Sequence, residues 1–373
     1  MAGATAVLYA ARSVHVALGS TESIAVVQNM ADAPTLSIIV PACNEERQIE
    51  RCVQSLAALA YPGLEIVVVD DRSEDATAAM VSAIAAKDAR VRVVRGDILP
   101  EGWVGKPWAL AQGAAVARGE WLLFTDADTV HQPFSAVSAM QYARDHGLDV
   151  LSLLTTQELG SLPERVLLPS ILWTIAFAIG PTSAMNDRAN TRAALFNGQY
   201  ILCRRKAYEA LGGHAAVRNR IAEDLELARL VKRDGRFHGR LVGAAHLVRT
   251  RMYRDAGEIW RGFQKNFALG APNVSSLLVG CALLACVAPL PELLLARAVR
   301  KRRWNDCAAI LCAIALSVAA SEFGMRRAGL PRFSGACTPV GLSATVAIAL
   351  DSAYRHSSGS GVQWRGRTYG EHA

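Results

Sequence analysis

Residues 121–129 read WLLFTDADT: a short apolar run, a threonine, then two aspartates separated by one alanine. Uninterrupted apolar character over a few residues fits a strand buried on both faces, and the polar residues mark where it ends. Alternate residues of an extended chain project the same way, so Asp126 and Asp128 are placed to reach one cation. Runs of the same kind recur at 36–41 (LSIIVP), 64–70 (LEIVVVD), 91–95 (VRVVR) and 148–154 (LDVLSLL). Helical patterns fill the gaps at 46–60, 74–87, 107–118 and 134–146. Asn44 or Ser73 mark starts, and Gly63, Gly119 and Gly147 mark stops. The alternation predicts an α/β fold with an open, mostly parallel sheet, whose ligands bind beyond the C-terminal ends of its strands. No GxGxxG follows the first run and no GxxxxGK[ST] occurs, which argues against a dinucleotide fold or a P-loop.

Acidic residues gather at those strand ends. Hard carboxylate oxygens at Asp126 and Asp128 suit Mg²⁺ or Mn²⁺, which a pair of carboxylates typically shares with substrate phosphates. The first strand ends in Pro41-Ala42-Cys43-Asn44-Glu45 and the second in Asp70-Asp71-Arg72-Ser73. One of Asp70 and Asp71 either caps the next helix, in competition with Ser73, or the pair hydrogen-bonds a nucleotide base or ribose, a task Asn44 and Glu45 can share. Further along, IAEDLELA (221–228) predicts an amphipathic helix with Glu223 and Asp224 in its first turn. The helix dipole alone favours acids there; a general base for an acceptor hydroxyl is the functional alternative. Gly212-Gly213-His214 supplies a tight turn with close backbone approach. Trp103 and Lys106, in the stretch GWVGK, either contact a diphosphate or sugar or belong to an ordinary surface loop.

Of the 373 residues, 51% are hydrophobic and 20% charged, and the net charge is +7. Mean hydropathy is +0.19. These values exclude a disordered chain, and eight cysteines in this length exclude a disulfide-stapled miniprotein. The apolar excess sits late. Between 268 and 296 the only charge is Glu292, and 307–321 and 333–350 carry none. About 20 apolar residues span a bilayer, so roughly three membrane helices are expected over 268–355. Residues 166–185 are read as core or as an interfacial helix beside a lipid acceptor.

Basic residues flank the apolar runs on every side: Arg249 to Lys265, Arg297 to Arg303, Arg326 to Arg332, and Arg355, Arg365 and Arg367 in the tail. The positive-inside rule therefore sets no orientation, and Pro289 and Pro291 leave a re-entrant hairpin open as an alternative to a span. These basic residues favour anionic membrane lipids rather than nucleic acid, for which no recognition motif is present. The apolar stretch 2–11 is interrupted by Arg12 and lacks a basic leader, so it does not read as a signal peptide. The expected place is a cell membrane, multi-pass, with the catalytic part cytoplasmic. With no CxxC pair, all eight cysteines are expected to be reduced. The expected organisation is an N-terminal segment (1–34) with interfacial-helix character, a catalytic domain (35–267), a membrane region (268–355) and a basic tail (356–373).

Taken in order, LSIIVPACNE, VVVDDRSED, LLFTDADT and GGH…IAEDLELA resemble the family 2 glycosyltransferases of GT-A fold over about residues 35–270. LPEGWVGKPWALAQGAAVARGE and NGQYILCRRKAYEALGGH are similar to the membrane-bound, hopanoid- and carotenoid-associated branch. The resemblance implies transfer of one sugar from a nucleotide-diphosphate donor, UDP-linked, to a hydroxyl or carboxylate of a hydrophobic lipid or terpenoid acceptor. It places Pro41, Glu45, Asp70 and Asp71 at the nucleoside and Asp126 and Asp128 on a divalent cation. Asp224 becomes the base of an inverting displacement, with Glu223 beside it. Gly213, His214 and Trp260 fall on the acceptor side. Processive members carry Q/R-x-x-R-W before the membrane region; here Trp260-Arg261 reverses that order and no such motif occurs. That departure and the few membrane runs disfavour a polysaccharide synthase. A polyprenyl-phosphate sugar transferase and a non-catalytic nucleotide-binding membrane scaffold are the other readings.

Overall fold

The structure, a computed structural model, describes residues 2–20, 22–190, 193–271, 273–358, 362–364 and 367–369. The chain divides into two compact units: one made of Glu22–Glu158 with Met185–Met252, the other of the N-terminal helix, Leu159–Ala184 and the described residues between Tyr253 and Tyr369. Of the basic tail, 359–361, 365, 366 and 370–373 lie outside the described residues.

The first unit is built on strands β1 (Leu36–Ala42), β2 (Leu64–Asp70), β3 (Val91–Arg95), β4 (Trp121–Phe124), β5 (Thr129–His131), β6 (Val150–Leu154), β7 (Thr156–Gln157), β8 (Ile201–Arg204), β9 (Gly239–Gly243) and β10 (Val248–Thr250). Seven of them form one sheet in the order β3-β2-β1-β4-β8-β6-β9, and β5-β10-β7 form a small second sheet. β1, β2, β3 and β4 run parallel, as do β6 and β9; β8 is antiparallel to both its neighbours. The sheet is thus mostly parallel, as the sequence pattern predicts. Ile38, Ile39, Val40, Ile66, Val67, Val68, Leu122 and Leu123 are all sealed from solvent. Two-sided burial is why these strands lack alternation. β8 and β9 escape the pattern reading because they are short and, at β9, bounded by glycines. Helices Ile49–Ala57, Thr77–Ala85, Gly105–Val116 and Ser135–Asp145 occupy the expected intervals.

The second unit is helical. Helix Ala2–Leu18 packs along helix Trp304–Arg327, and Leu162–Ile179 packs on Thr338–Ser357. Among the described residues, four stretches are long and apolar enough to cross a membrane: Leu162–Ile179, Val274–Arg300, Trp304–Arg327 and Ser334–Ser357. One more is found than the three expected, because Leu162–Ile179 qualifies. It is started by a capping box: Ser161 Oγ accepts from Glu164 N–H, and the Glu164 carboxylate accepts from Ser161 N–H. Pro289 and Pro291 divide the second stretch into Val274–Ala285 and Leu290–Arg300. The first part packs on Thr338–Ser357 and the second on Trp304–Arg327, so the two halves have separate partners. All eight cysteines are free.

Candidate active site

The loops after β1 and β2 share one geometry. Asn44 and Arg72 both take left-handed backbone conformations (φ +54° and +56°) and turn the chain off the sheet edge. Asn44 N–H donates to Ser73 Oγ (3.0 Å), Glu74 N–H donates to Asn44 Oδ1 (2.8 Å), and Glu45 N–H donates to Thr77 Oγ1 (2.8 Å). Asn44, expected at the nucleotide, therefore braces one loop against the other. The helix after β2 begins at Thr77 without a side-chain cap, so neither Asp70 nor Ser73 has the capping role. Asp70 and Asp71 are buried at the strand end. Asp70 Oδ1 accepts from Ser73 N–H (3.3 Å), and Asp71 faces the Arg72 guanidinium at 3.6 Å. Pro41 stays within β1, paired in register with Val69.

β4 ends at Phe124, so Asp126 and Asp128 lie in a turn leading into β5 rather than on the strand. Their pairing therefore comes from turn geometry, a correction to strand alternation. Asp126 O accepts from Thr129 Oγ1 (2.8 Å), and Thr125 Oγ1 donates to Gln199 O (2.7 Å). With both hydroxyl protons committed, the buried His131 Nε2, 3.1 Å from each oxygen, must be the donor. Burial lowers the His131 pKa to about 3, which keeps the ring neutral. This buried floor under the aspartate turn was missed from sequence, where His131 is one isolated histidine.

Asp128 Oδ1 is buried without a hydrogen-bond partner. Burial, then the charges of Asp126 and Glu45, push its carboxyl up to about 7. A sealed, unpartnered carboxylate oxygen among other carboxylates fits a divalent cation. Among the described residues no group of three or more His, Cys, Asp or Glu is placed to hold a metal. Two protein carboxylates thus leave the remaining positions to phosphate oxygens and water, as suits Mg²⁺ or Mn²⁺.

Lys106 was expected in a loop, but it stands in the first turn of helix Gly105–Val116. A cation there opposes the helix dipole. Carboxylates supply the compensation: Lys106 Nζ lies 2.7 Å from Asp126 Oδ1 and 2.7 Å from Glu223 Oε1. Burial alone would lower its pKa, yet Asp126, Glu223 and Asp224 hold it well above the usual lysine value. Trp103 packs edge-on against Trp108 with ring centroids 4.9 Å apart.

Helix Glu223–Asp234 starts where expected. Asp224 is held by two backbone donors, Gly198 N–H to Oδ2 (3.0 Å) and Leu225 N–H to Oδ1 (2.8 Å). A Cβ on Gly198 would lie 3.1 Å from both Asp224 Oδ2 and Lys106 Nζ, so the base and the lysine meet over that glycine. Burial, then the neighbouring Glu223, raise the Asp224 carboxyl to about 6, against the opposing pull of Lys106. The site therefore gathers Glu45, Lys106, Asp126, Asp128, Glu223 and Asp224.

The acceptor residues fare differently. Gly212 and Gly213 do form the tight turn, with φ of +82° and +54°. His214, however, is 1% exposed, edge-on to Phe124 (4.7 Å) and hydrogen-bonded through Nδ1 to Tyr208 Oη (2.9 Å). Gly213 packs onto the Tyr208 ring. Both residues are wall rather than lining, because an aromatic cluster needs them inside. Trp260 belongs to the helical unit, where its Nε1–H donates to Asp351 Oδ2 (2.7 Å) and Gln264 bonds the same oxygen.

Residues 37–212 match the family model described as Glycosyl transferase family 2. A 4,4'-diaponeurosporenoate glycosyltransferase of Staphylococcus haemolyticus is 27% identical over 66% of this chain and 67% of its own length. A beta-monoglucosyldiacylglycerol synthase of Trichormus variabilis is 27% identical over 52% of this chain and 40% of its own. This second alignment spans less than half of that relative. Among solved structures, a mannosyltransferase from Pyrobaculum calidifontis in complex with GDP-Man and Mn²⁺ aligns with TM-score 0.52 and 20% identity. It covers 85% of this chain and 98% of its own, a likeness of fold.

Proposed function

The chain belongs to the family 2 glycosyltransferases, and on that premise we propose that it is a membrane-bound, metal-dependent, inverting enzyme. It transfers a single sugar from a nucleotide-diphosphate donor, UDP-linked, to a hydroxyl of a hydrophobic lipid-like acceptor. The observation that carries this reading is Lys106 joining Asp126 of the aspartate turn to Glu223 beside Asp224. One side of the lysine suits the donor's diphosphate and the other suits an acceptor proton.

Asp126 and Asp128 would hold a divalent cation, Mn²⁺ or Mg²⁺, which supplies charge neutralisation to the leaving diphosphate when bound. Asp70, Asp71, Pro41 and Glu45, at the ends of β1 and β2, border the nucleoside. Asp224, fixed by two N–H donors, takes the proton of the acceptor hydroxyl. The acceptor oxygen forms a bond to the anomeric carbon on the face opposite the nucleotide. The bond from that carbon to the phosphate oxygen breaks, and the nucleoside diphosphate leaves. The catalytic unit faces the cytoplasm, and the four apolar stretches anchor the chain in the bilayer.

Names of two relatives, one a diaponeurosporenoate and one a diacylglycerol-glucoside enzyme, support an apolar acceptor. The first name favours a second reading, a carboxylate acceptor, which needs no base near neutral pH. Asp224→Asn in phospholipid vesicles separates the two. A hydroxyl acceptor predicts lost turnover with donor still bound; a carboxylate acceptor predicts that turnover survives. Calorimetric UDP binding indifferent to Mn²⁺, Mg²⁺ and Asp128→Ala would refute the metal site.

A further inference from the structure

The Lys106 ammonium has two carboxylates at 2.7 Å, Asp126 and Glu223, and a third, Asp224, beside it across Gly198. Asp126 is one of the two residues read above as metal ligands. Its partner Asp128 keeps a buried oxygen without any hydrogen bond, so the positive charge in this pocket is placed on the Asp126 side. Lys106 retains 29% side-chain exposure and stands at the free end of a helix, with its four-carbon stem able to swing between oxygens.

We propose that Lys106 is a built-in stand-in for the metal: in the donor-free enzyme its ammonium compensates Asp126 and locks Glu223 in one ion-pair bridge, and loading the site displaces it. This rests on the reading of Asp126 and Asp128 as the cation's ligands. A divalent cation competes with the ammonium for Asp126, so metal binds weakly alone. A nucleoside diphosphate offers the displaced ammonium new anionic oxygens, so nucleotide and metal favour each other. The same movement takes the ammonium from Glu223 and leaves the Glu223–Asp224 end open to an acceptor. Acceptor entry is thereby tied to a loaded donor, and the arrangement disfavours deprotonating a hydroxyl with no sugar to receive it. Coupling of this kind between two ligands is worth about five- to 150-fold in affinity, and it is reciprocal.

Mn²⁺ binding, read by electron paramagnetic resonance on the full chain in phospholipid vesicles, tests it with and without UDP. The wild-type protein is expected to bind Mn²⁺ about tenfold more tightly with UDP present. Lys106→Gln is expected to bind Mn²⁺ about tenfold more tightly than wild type without UDP, and to lose most of the gain from UDP. Lys106→Arg, which keeps the charge, is expected to stay near wild type. Thermal unfolding gives a second readout, since Mn²⁺ should raise the midpoint of Lys106→Gln more than that of wild type. Asp128→Asn separates the two levels of the argument. If it leaves Mn²⁺ binding intact, the metal site itself is wrong and the inference falls with it. If Asp128→Asn abolishes binding while Lys106→Gln binds Mn²⁺ no better than wild type, only the stand-in is overturned.

Discussion

The two units of this chain differ in what their interiors hold and in what their surfaces show. In the sheet unit the interior is Ile, Val and Leu, sealed on both faces, and the charges stand at the strand ends. In the helical unit the interior mixes large apolar side chains, among them Ile171, Trp173, Met325, Leu342 and Ile348, with small and polar ones. Ser170, Ser317, Ser321, Thr338, Thr345 and Ser352 are buried, Gly324 lies on the Trp173 ring, and Gly341 lies on Ser170. Other large side chains, including Leu278, Val279, Leu283, Leu293, Leu311 and Val340, are exposed. Water drives the first arrangement, because removing apolar area from water is the main favourable term. In hydrocarbon, helices associate through close backbone approach at small residues and through hydrogen bonds, and the large apolar groups are left for lipid. The exposed apolar faces and the close contacts at small residues fit the four apolar stretches as candidate membrane spans.

Three substitutions sharpen that contrast, taken from the largest effect down. Asp224→Asn should lower kcat by 10²- to 10⁴-fold, the usual worth of a general base, with nucleotide affinity retained; rate and calorimetry together check it. Leu283→Arg places a charge on the exposed face of a membrane stretch and should cost about 3 kcal/mol of insertion. Fractionation should then show less protein in membranes, while UDP binding by correctly inserted protein is unchanged. Were Leu283 a surface residue of a water-soluble helix, the change would be nearly silent. Gly324→Leu reverses the geometry by overfilling the contact with Trp173, at about 1–3 kcal/mol. The loss should appear as a lower unfolding midpoint in detergent, with the sheet unit still binding nucleotide.

Acidity gives a gentler probe. Asp224 must be ionised to accept a proton, and its carboxyl is raised to about 6. Activity should therefore climb as pH rises through about 6 and level off above. In the donor-free enzyme Lys106 pulls that value down, so Lys106→Gln should move the rising limb of kcat/KM for the donor to higher pH. An activity that falls across the same interval would contradict the base assignment.

Much of the sheet unit was legible because burial writes itself into composition. VVV at 67–69 and LLF at 122–124 leave no other consistent reading, and Asp70 or Thr125 marks each end. The aspartate pair was legible as a pair, but its turn was not, since the bond from Thr129 Oγ1 to Asp126 O depends on β5. Lys106 was found, yet placed in a loop, because a lysine at a helix start makes sense only with Asp126 and Glu223 beside it. His214 misled for a related reason. A polar residue after two glycines reads as a binding turn, whereas the ring is used to pack Phe124 and bond Tyr208. In the helical unit, length and apolarity located three stretches, and the charge of Glu164 and Arg165 at the head of Leu162–Ile179 obscured the fourth.

The central claim is that a soluble-type catalytic unit delivers one sugar into an acceptor drawn from the membrane. Its most direct test incubates the vesicle-bound enzyme with radiolabelled nucleotide-sugar, Mn²⁺ and a lipid extract, then partitions the products between water and organic solvent. Label is expected in the organic phase, one sugar per acceptor by mass, dependent on Mn²⁺ and absent with Asp224→Asn. Label confined to a water-soluble polymer, or transfer indifferent to Mn²⁺, would contradict it.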